Sequence, residues 1–147
     1  INPDINIEIQ GNLIIQGTKQ DSVIFTCSDS TKFWGKLFFE STEQGVNNCK
    51  IIAKYAIFEK CYEIKIWDYS KNNRFFENCT FKSNGDFNDV FSFNSPNSKF
   101  YFTNCRFYDN SSYWFMFTQN GDVNLINCLL YNNEGVPIAQ FPFRWLQ

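Results

Sequence analysis

Histidine is absent from this 147-residue chain. That removes the commonest general base, the Ser–His and Cys–His nucleophile pairs and most zinc sites. Alanine is scarce too, at Ala53, Ala56 and Ala139 alone, whereas a helical protein uses this best helix former freely. No Cys-x-x-Cys pair occurs, and no apolar run approaches the ~20 residues of a membrane-spanning helix. Neither charge dominates: 13 Lys and Arg, scattered without a basic stripe, face 15 Asp and Glu. Nucleic acid and membrane insertion are therefore not expected, nor is a cofactor or a metal.

What is present favours strands. Of the aromatic residues, 18 are Phe, which with Ile and Val suits a pleated, half-buried surface. Short runs such as Val90-Phe91-Ser92-Phe93 and Trp114-Phe115-Met116-Phe117 are each followed by polar turn residues. The length suits one domain, residues 1–147, and the first residues, Ile1-Asn2-Pro3-Asp4, read as the end of a preceding turn. An excerpt, or the mature part of a longer protein, is expected.

An internal repeat organises the chain. Phe76-Glu77-Asn78-Cys79-Thr80-Phe81 recurs as Phe102-Thr103-Asn104-Cys105-Arg106-Phe107 and as Leu125-Ile126-Asn127-Cys128-Leu129-Leu130, with a weaker copy at Phe58-Glu59-Lys60-Cys61. The cysteine spacings of 18, 26 and 23 fit a coil with one variable loop. Cys79 and Phe81 share one face of a strand, yet Phe76, three before Cys79, also reads as core. A bend at Glu77-Asn78 resolves the conflict, because Asn tolerates the left-handed conformation of a corner. Asn78, Asn104 and Asn127 would then stack as an amide ladder, with Asn84, Asn110 and Asn133 at the next corner. Cys61, Cys79, Cys105 and Cys128 would form a buried column of free thiols acting as small hydrophobes, since stacked Cβ vectors run parallel. The pairing of Cys27 and Cys49 is open. The expected fold is all-β, a right-handed parallel β-helix of roughly six coils. The apolar, proline-bearing residues 137–147 break the pattern and read as a C-terminal cap over the last coil or as a docking segment.

The pattern Asn-Cys-x-Phe-x-x-Asn, in Asn78 to Asn84 and Asn104 to Asn110, resembles the Phe-x-x-Asn repeats of polymorphic outer-membrane proteins, without their companion Gly-Gly-Ala motif. Residues 11–58 are similar to the generic right-handed β-helix repeat of secreted proteins, a group that includes pectate-lyase-like proteins. Such families include adhesins, surface antigens and polysaccharide lyases, so the resemblance implies a fold and leaves the activity open.

Three sets of residues are candidates for function. A pectate-lyase-like calcium site would draw on Asp86, Asp89 and Asp109 with Lys82, Arg74 and Arg106, but nothing in their spacing makes them converge, and they read as solvated turn and surface residues. Tyr108 and Tyr131 point outward by parity with Lys82 above them, and Tyr101, Tyr113, Trp67 and Trp114 are expected partly outside. They form either a strip that stacks on sugar rings or, the preferred reading, a ladder that stabilises the sheet. Of the two glycosylation sequons, Asn78-Cys79-Thr80 is taken up by the corner, leaving Asn110-Ser111-Ser112 as the acceptor expected in a eukaryotic source.

The expected function is a non-catalytic structural or interaction module of a secreted or cell-surface protein, adhesin- or scaffold-like. Its partners would be other domains of the same protein, a surface protein or carbohydrate. A carbohydrate-binding or polysaccharide-cleaving β-helix is the alternative, and a self-assembling structural subunit a third.

Overall fold

The computed structural model describes residues 1–40, 49–67, 70–85, 89–113, 115–135 and 139–140. Its elements follow one another as repeated coils of three strands. The first coil holds β1 (Ile7–Glu8), β2 (Leu13–Gln16) and β3 (Val23–Phe25), and the second β4 (Trp34–Glu40), β5 (Ile51–Lys54) and β6 (Ala56–Glu59). The third holds β7 (Cys61–Trp67), β8 (Arg74–Glu77) and β9 (Thr80–Lys82). In the fourth, β10 (Phe91–Thr103) runs along two sides before β11 (Arg106–Tyr108), and in the fifth β12 (Met116–Ile126) does the same before β13 (Leu129–Tyr131). A last strand, β14 (Ala139–Gln140), pairs with the start of β12.

Every pairing is parallel and joins equivalent strands of successive coils. The result is a solenoid with three faces, with no helix among the described residues. The first face stacks β1, β4, β7, the start of β10, the start of β12 and β14; the second stacks β2, β5, β8 and the later parts of β10 and β12. The third face is a 5-stranded sheet, β3-β6-β9-β11-β13, about 4 turns from first strand to last. The six coils expected from a two-dozen-residue period are too many. The register Ile7↔Leu37↔Ile64↔Phe91 makes the early coils longer than the Asn-Cys spacing suggests.

Two corners per coil explain why strands this short stop where they do. Tyr55, Asn78, Asn104 and Asn127 occupy one corner with φ of 50–54°, and Lys60, Ser83, Asp109 and Asn132 the next with φ of 51–57°. Each left-handed residue turns the chain, so that the side chains two before and one after it, such as Phe76 and Cys79 about Asn78, both point inward. Asn accepts this conformation more readily than most residues, which is why Asn recurs at the first corner.

The interior is a set of phenylalanine stacks. On the third face Phe25, Phe58, Phe81 and Phe107 lie one above another, with centroids 5.0, 5.1 and 5.0 Å apart. Phe76 and Phe102 stack at 4.7 Å on the second face and meet the first column edge-on. Such pairs add about 0.5–1.5 kcal/mol each beyond the area they bury.

The second corner also carries a buried polar column. Asn84 and Asn110 are 1% and 0% exposed. The Asn84 amide donates to Asn110 Oδ1 (3.1 Å) and to the Phe58 carbonyl (2.9 Å). The Asn110 amide donates to Asn133 Oδ1 (2.7 Å) and to the Phe81 carbonyl (3.1 Å). In return, Asn110 Oδ1 accepts the backbone N–H of Asn84, and Asn133 Oδ1 that of Asn110. The column ends at Cys61, whose backbone N–H donates to Asn84 Oδ1 at 3.0 Å. Gly85 is required beside it: with φ of +83°, a Cβ there would lie 2.2 Å from the Ser111 carbonyl oxygen.

This register corrects two expectations. Cys61 does not stand in the column of Cys79, Cys105 and Cys128. It follows the second-corner residue Lys60, as Asn84 follows Ser83, so it takes the place of a ladder asparagine. The residue level with Cys79 in the coil below is Ala56. Asn110, the expected glycan acceptor, has its amide wholly enclosed in the ladder, so no sugar can be attached to it in this fold.

Candidate functional site

The outer faces carry the polar and aromatic groups. On the first face, alternation puts Leu37, Phe39, Ile64 and Ile66 inside and sends Lys36, Glu63, Lys65 and Trp67 outward. Parallel register sets Lys36 beside Glu63, and the ammonium lies 2.6 Å from Glu63 Oε2. Glu63 is only 7% exposed for an outward residue. Asp89, at the entry to β10, shares this environment. Burial first, and then the Glu63 carboxylate, push its carboxyl up to about 6, against the opposing pull of Lys36. The Lys36–Glu63 ion pair and Asp89 therefore share one electrostatic environment, with one acid poised near neutrality. Alongside them, Lys65 Nζ lies 4.1 Å from the centre of the Trp67 ring, and the Trp67 indole donates to Ser92 Oγ at 3.0 Å. Further along the face, the Asn120 amide donates to Asn94 Oδ1 at 2.9 Å.

The third face carries a second outward column, Glu59, Lys82, Tyr108 and Tyr131 in register. Lys82 and Glu59 pair at 2.7 Å. Tyr108 and Tyr131 stack with centroids 5.0 Å apart and planes 5° from parallel. Stacking along the solenoid axis uses the ring faces on each other and turns the ring edges outward. Tyr131 also lines a cavity of about 270 Å³ at the last coil, together with Phe115, Leu130, Asn132, Asn133 and Gly135. On the second face, Phe75 and Tyr101 stack likewise at 5.3 Å and 7°.

The calcium-site set is not brought together. Asp89 lies beside the first face, Lys82 and Arg106 are on the third, and Asp109 is an exposed second-corner residue. Arg74, expected at the surface, is 0% exposed and donates to Ser70 Oγ at 2.8 Å, with its guanidinium over the Phe100 ring. Asp86 and Trp114 lie outside the described residues. No group of three or more His, Cys, Asp or Glu among the described residues is arranged to hold a metal. Tyr113 is exposed and Trp67 partly so. Of residues 137–147 only Ala139 and Gln140 are described; they continue the first face, where the sequence suggested a break.

At the first corner Asn127 donates to Asn104 Oδ1 at 2.6 Å, while the Asn78 amide turns to Glu77 at 3.5 Å. Behind these asparagines, the thiols of Cys79, Cys105 and Cys128 donate to the carbonyls of Ala53, Phe76 and Phe102 at 3.4, 3.4 and 3.2 Å. Each closes a carbonyl in the coil below. Sequence reasoning missed Lys36 and Glu63 altogether. Aligning Trp34 with Cys61 would have found them, since that register places the two side by side.

A family model described as right handed beta helix region matches residues 37–141. No curated protein matches the chain, and no solved structure does. No helix among the described residues is long and apolar enough to cross a membrane.

Proposed function

We propose, since the chain belongs to the family of right-handed β-helix regions, that it serves as a non-catalytic structural and interaction module, adhesin- or scaffold-like, of a secreted or cell-surface protein. The observation that carries this reading is how the outer aromatics are used. Tyr108 with Tyr131, and Phe75 with Tyr101, stack along the axis and stiffen adjacent coils. A sugar-binding platform needs a row of open ring faces, and these pairs cover their facing sides with each other, leaving Tyr131, 42% exposed, at the end of its stack. Buried and outer ladders in one solenoid favour a stiff spacer whose long faces meet other domains of the same protein, a surface protein or carbohydrate.

The polysaccharide-cleaving alternative is favoured by one specific observation, the raised carboxyl of Asp89 under the influence of the Lys36–Glu63 ion pair. A carboxyl held near 6 by burial and by the charge of a second carboxylate suits general acid–base chemistry. Incubation with a panel of acidic and neutral polysaccharides, with and without calcium, separates the readings. The module reading expects no product and, at most, co-sedimentation. Product formed by the native chain and lost in Asp89→Asn would refute it in favour of the alternative.

A further inference from the structure

We propose that the open end of the last coil is a docking site for an extended segment of another polypeptide, one that carries an aromatic residue three positions before an asparagine. The amide column supplies the first observation. The backbone N–H and the carboxamide of Asn84 both donate to Asn110 Oδ1, at 3.0 and 3.1 Å. Those of Asn110 both donate to Asn133 Oδ1, at 3.2 and 2.7 Å. Asn133 is the last rung, and its carboxamide gives one hydrogen to the Phe107 carbonyl at 2.9 Å. Its second amide hydrogen and its backbone N–H have no acceptor among the described residues. By the symmetry of the column, both are aimed at one point, where the oxygen of a next carboxamide would lie. The strand beside it supplies the second observation. β13 is the last strand of the third face, and among the described residues nothing pairs with its outer edge. Leu130 faces the interior level with Phe107, yet Phe107 is 0% exposed and Leu130 39%. Leu129 and Tyr131 beside it are exposed as well. The cavity of about 270 Å³ that Phe115, Leu130, Tyr131 and Asn133 line opens at the same place.

An added parallel strand meets all of these features at once, with main-chain bonds giving affinity and side chains giving specificity. Within the chain an aromatic residue stands three before a ladder asparagine, Phe81 before Asn84 and Phe107 before Asn110. A segment of that pattern sets its ring over Leu130, at the cavity, and its asparagine oxygen on the two donors of Asn133. Its own amide then meets the Leu130 carbonyl, the counterpart of the Phe58, Phe81 and Phe107 carbonyls that accept from the existing rungs. The residue two before its asparagine falls level with Tyr131, the end of the tyrosine stack. A second copy of this chain, stacked head to tail, does not meet these requirements. Its first coil has Ser28 at this level, three residues after Phe25, and the Ser28 hydroxyl already donates to Asn2 Oδ1 at 3.2 Å. Such a copy brings no carboxamide to Asn133. The site lies at the end of the solenoid, so the inference stands apart from how the long faces are used.

The full chain, isotope-labelled for nuclear magnetic resonance, is titrated to millimolar concentration with the capped peptide acetyl-Arg-Phe-Tyr-Asp-Asn-Ser-amide, the sequence of residues 106–111. The expected result is saturable shifts centred on residues 129–135 and slowed hydrogen exchange at the Asn133 N–H. A peptide carrying Asn110→Ala should bind at least ~10-fold more weakly, because the two donors of Asn133 and the Leu130 carbonyl are then left without their partner. A peptide of the same composition in which Asp and Asn trade places should lose as much, since its carboxamide arrives one residue out of register. No shifts, equal binding of the three peptides, or shifts centred on the first coil overturns the proposal. Self-association of the chain alone, with residues 23–25 and 129–131 shifting together as its concentration rises, puts a second copy in the site and overturns it too.

Discussion

Replacing Asn110 by Ala tests whether the buried amide column holds the coils together. The change removes four hydrogen bonds: two accepted by Oδ1 from Asn84, and two donated by Nδ2, to Phe81 and Asn133. At about 1 kcal/mol net per bond the loss is about 4 kcal/mol, and the groups left unpaired at a fully enclosed site push it no lower. That is a large share of the ~5–15 kcal/mol by which a domain is stable. Asn104→Ala is the matched control. Its side chain accepts one bond from Asn127 at an exposed corner, so the main cost is a left-handed residue without Asn, about 1 kcal/mol. Urea unfolding of both variants, followed by far-UV circular dichroism, gives the comparison, with the slope m checked for constancy. Equal losses in the two variants, or a loss under ~1 kcal/mol for Asn110→Ala, would refute the claim that the interior column holds the corner.

Three further outcomes follow from the same geometry. Asp89 has its folded carboxyl raised to about 6 from 3.8, so its contribution to stability is full below about pH 4 and is lost as pH rises through 6. Asp89→Asn should therefore flatten the pH dependence of the urea midpoint across that window and stabilise the chain at neutral pH by ~1 kcal/mol, a figure discounted for partial exposure. Phe81→Ala, which empties the centre of the third-face stack between Phe58 and Phe107, should cost about 3–5 kcal/mol, read as a fall in thermal midpoint. Gly85→Ala forces a Cβ against the Ser111 carbonyl at positive φ and should destabilise the chain by more than the ~1 kcal/mol of left-handed strain alone, read as a fall in the urea midpoint.

The fold was legible because the corner chemistry is written in residue types. Asn78, Asn104 and Asn127 mark left-handed positions, and the large apolar residues on either side of each, Phe about the first two and Leu about the third, reveal that the chain turns there. The signal fades where other residues fill the same role. Tyr55 and Lys60 adopt the same left-handed angles as the asparagines, with nothing in their chemistry to announce it, so the early coils could not be phased. Cys61 misled for the opposite reason: it repeats the residue type of the thiol column while sitting at an asparagine position. The pairing of Lys36 with Glu63 was hidden because it joins successive coils through a register that neither parity nor the Asn-Cys repeat supplies. The burial of Arg74 was equally invisible, since charge alone argues for solvent.

The amide column of Asn84, Asn110 and Asn133 acts as an index mark. Each carboxamide has a donor on one side and an acceptor on the other, so it fits its neighbour at only one setting. A slip of one residue would bring Asp109 or Ser111 into the slot, and neither offers both groups at that reach. Alignment of the coils is thereby separated from loop length. The spacing between successive marks is 26 residues in one step and 23 in the next, with no change in how they dock. The chain between two marks is free to lengthen, shorten or acquire new surface chemistry, and the next coil will still find its place.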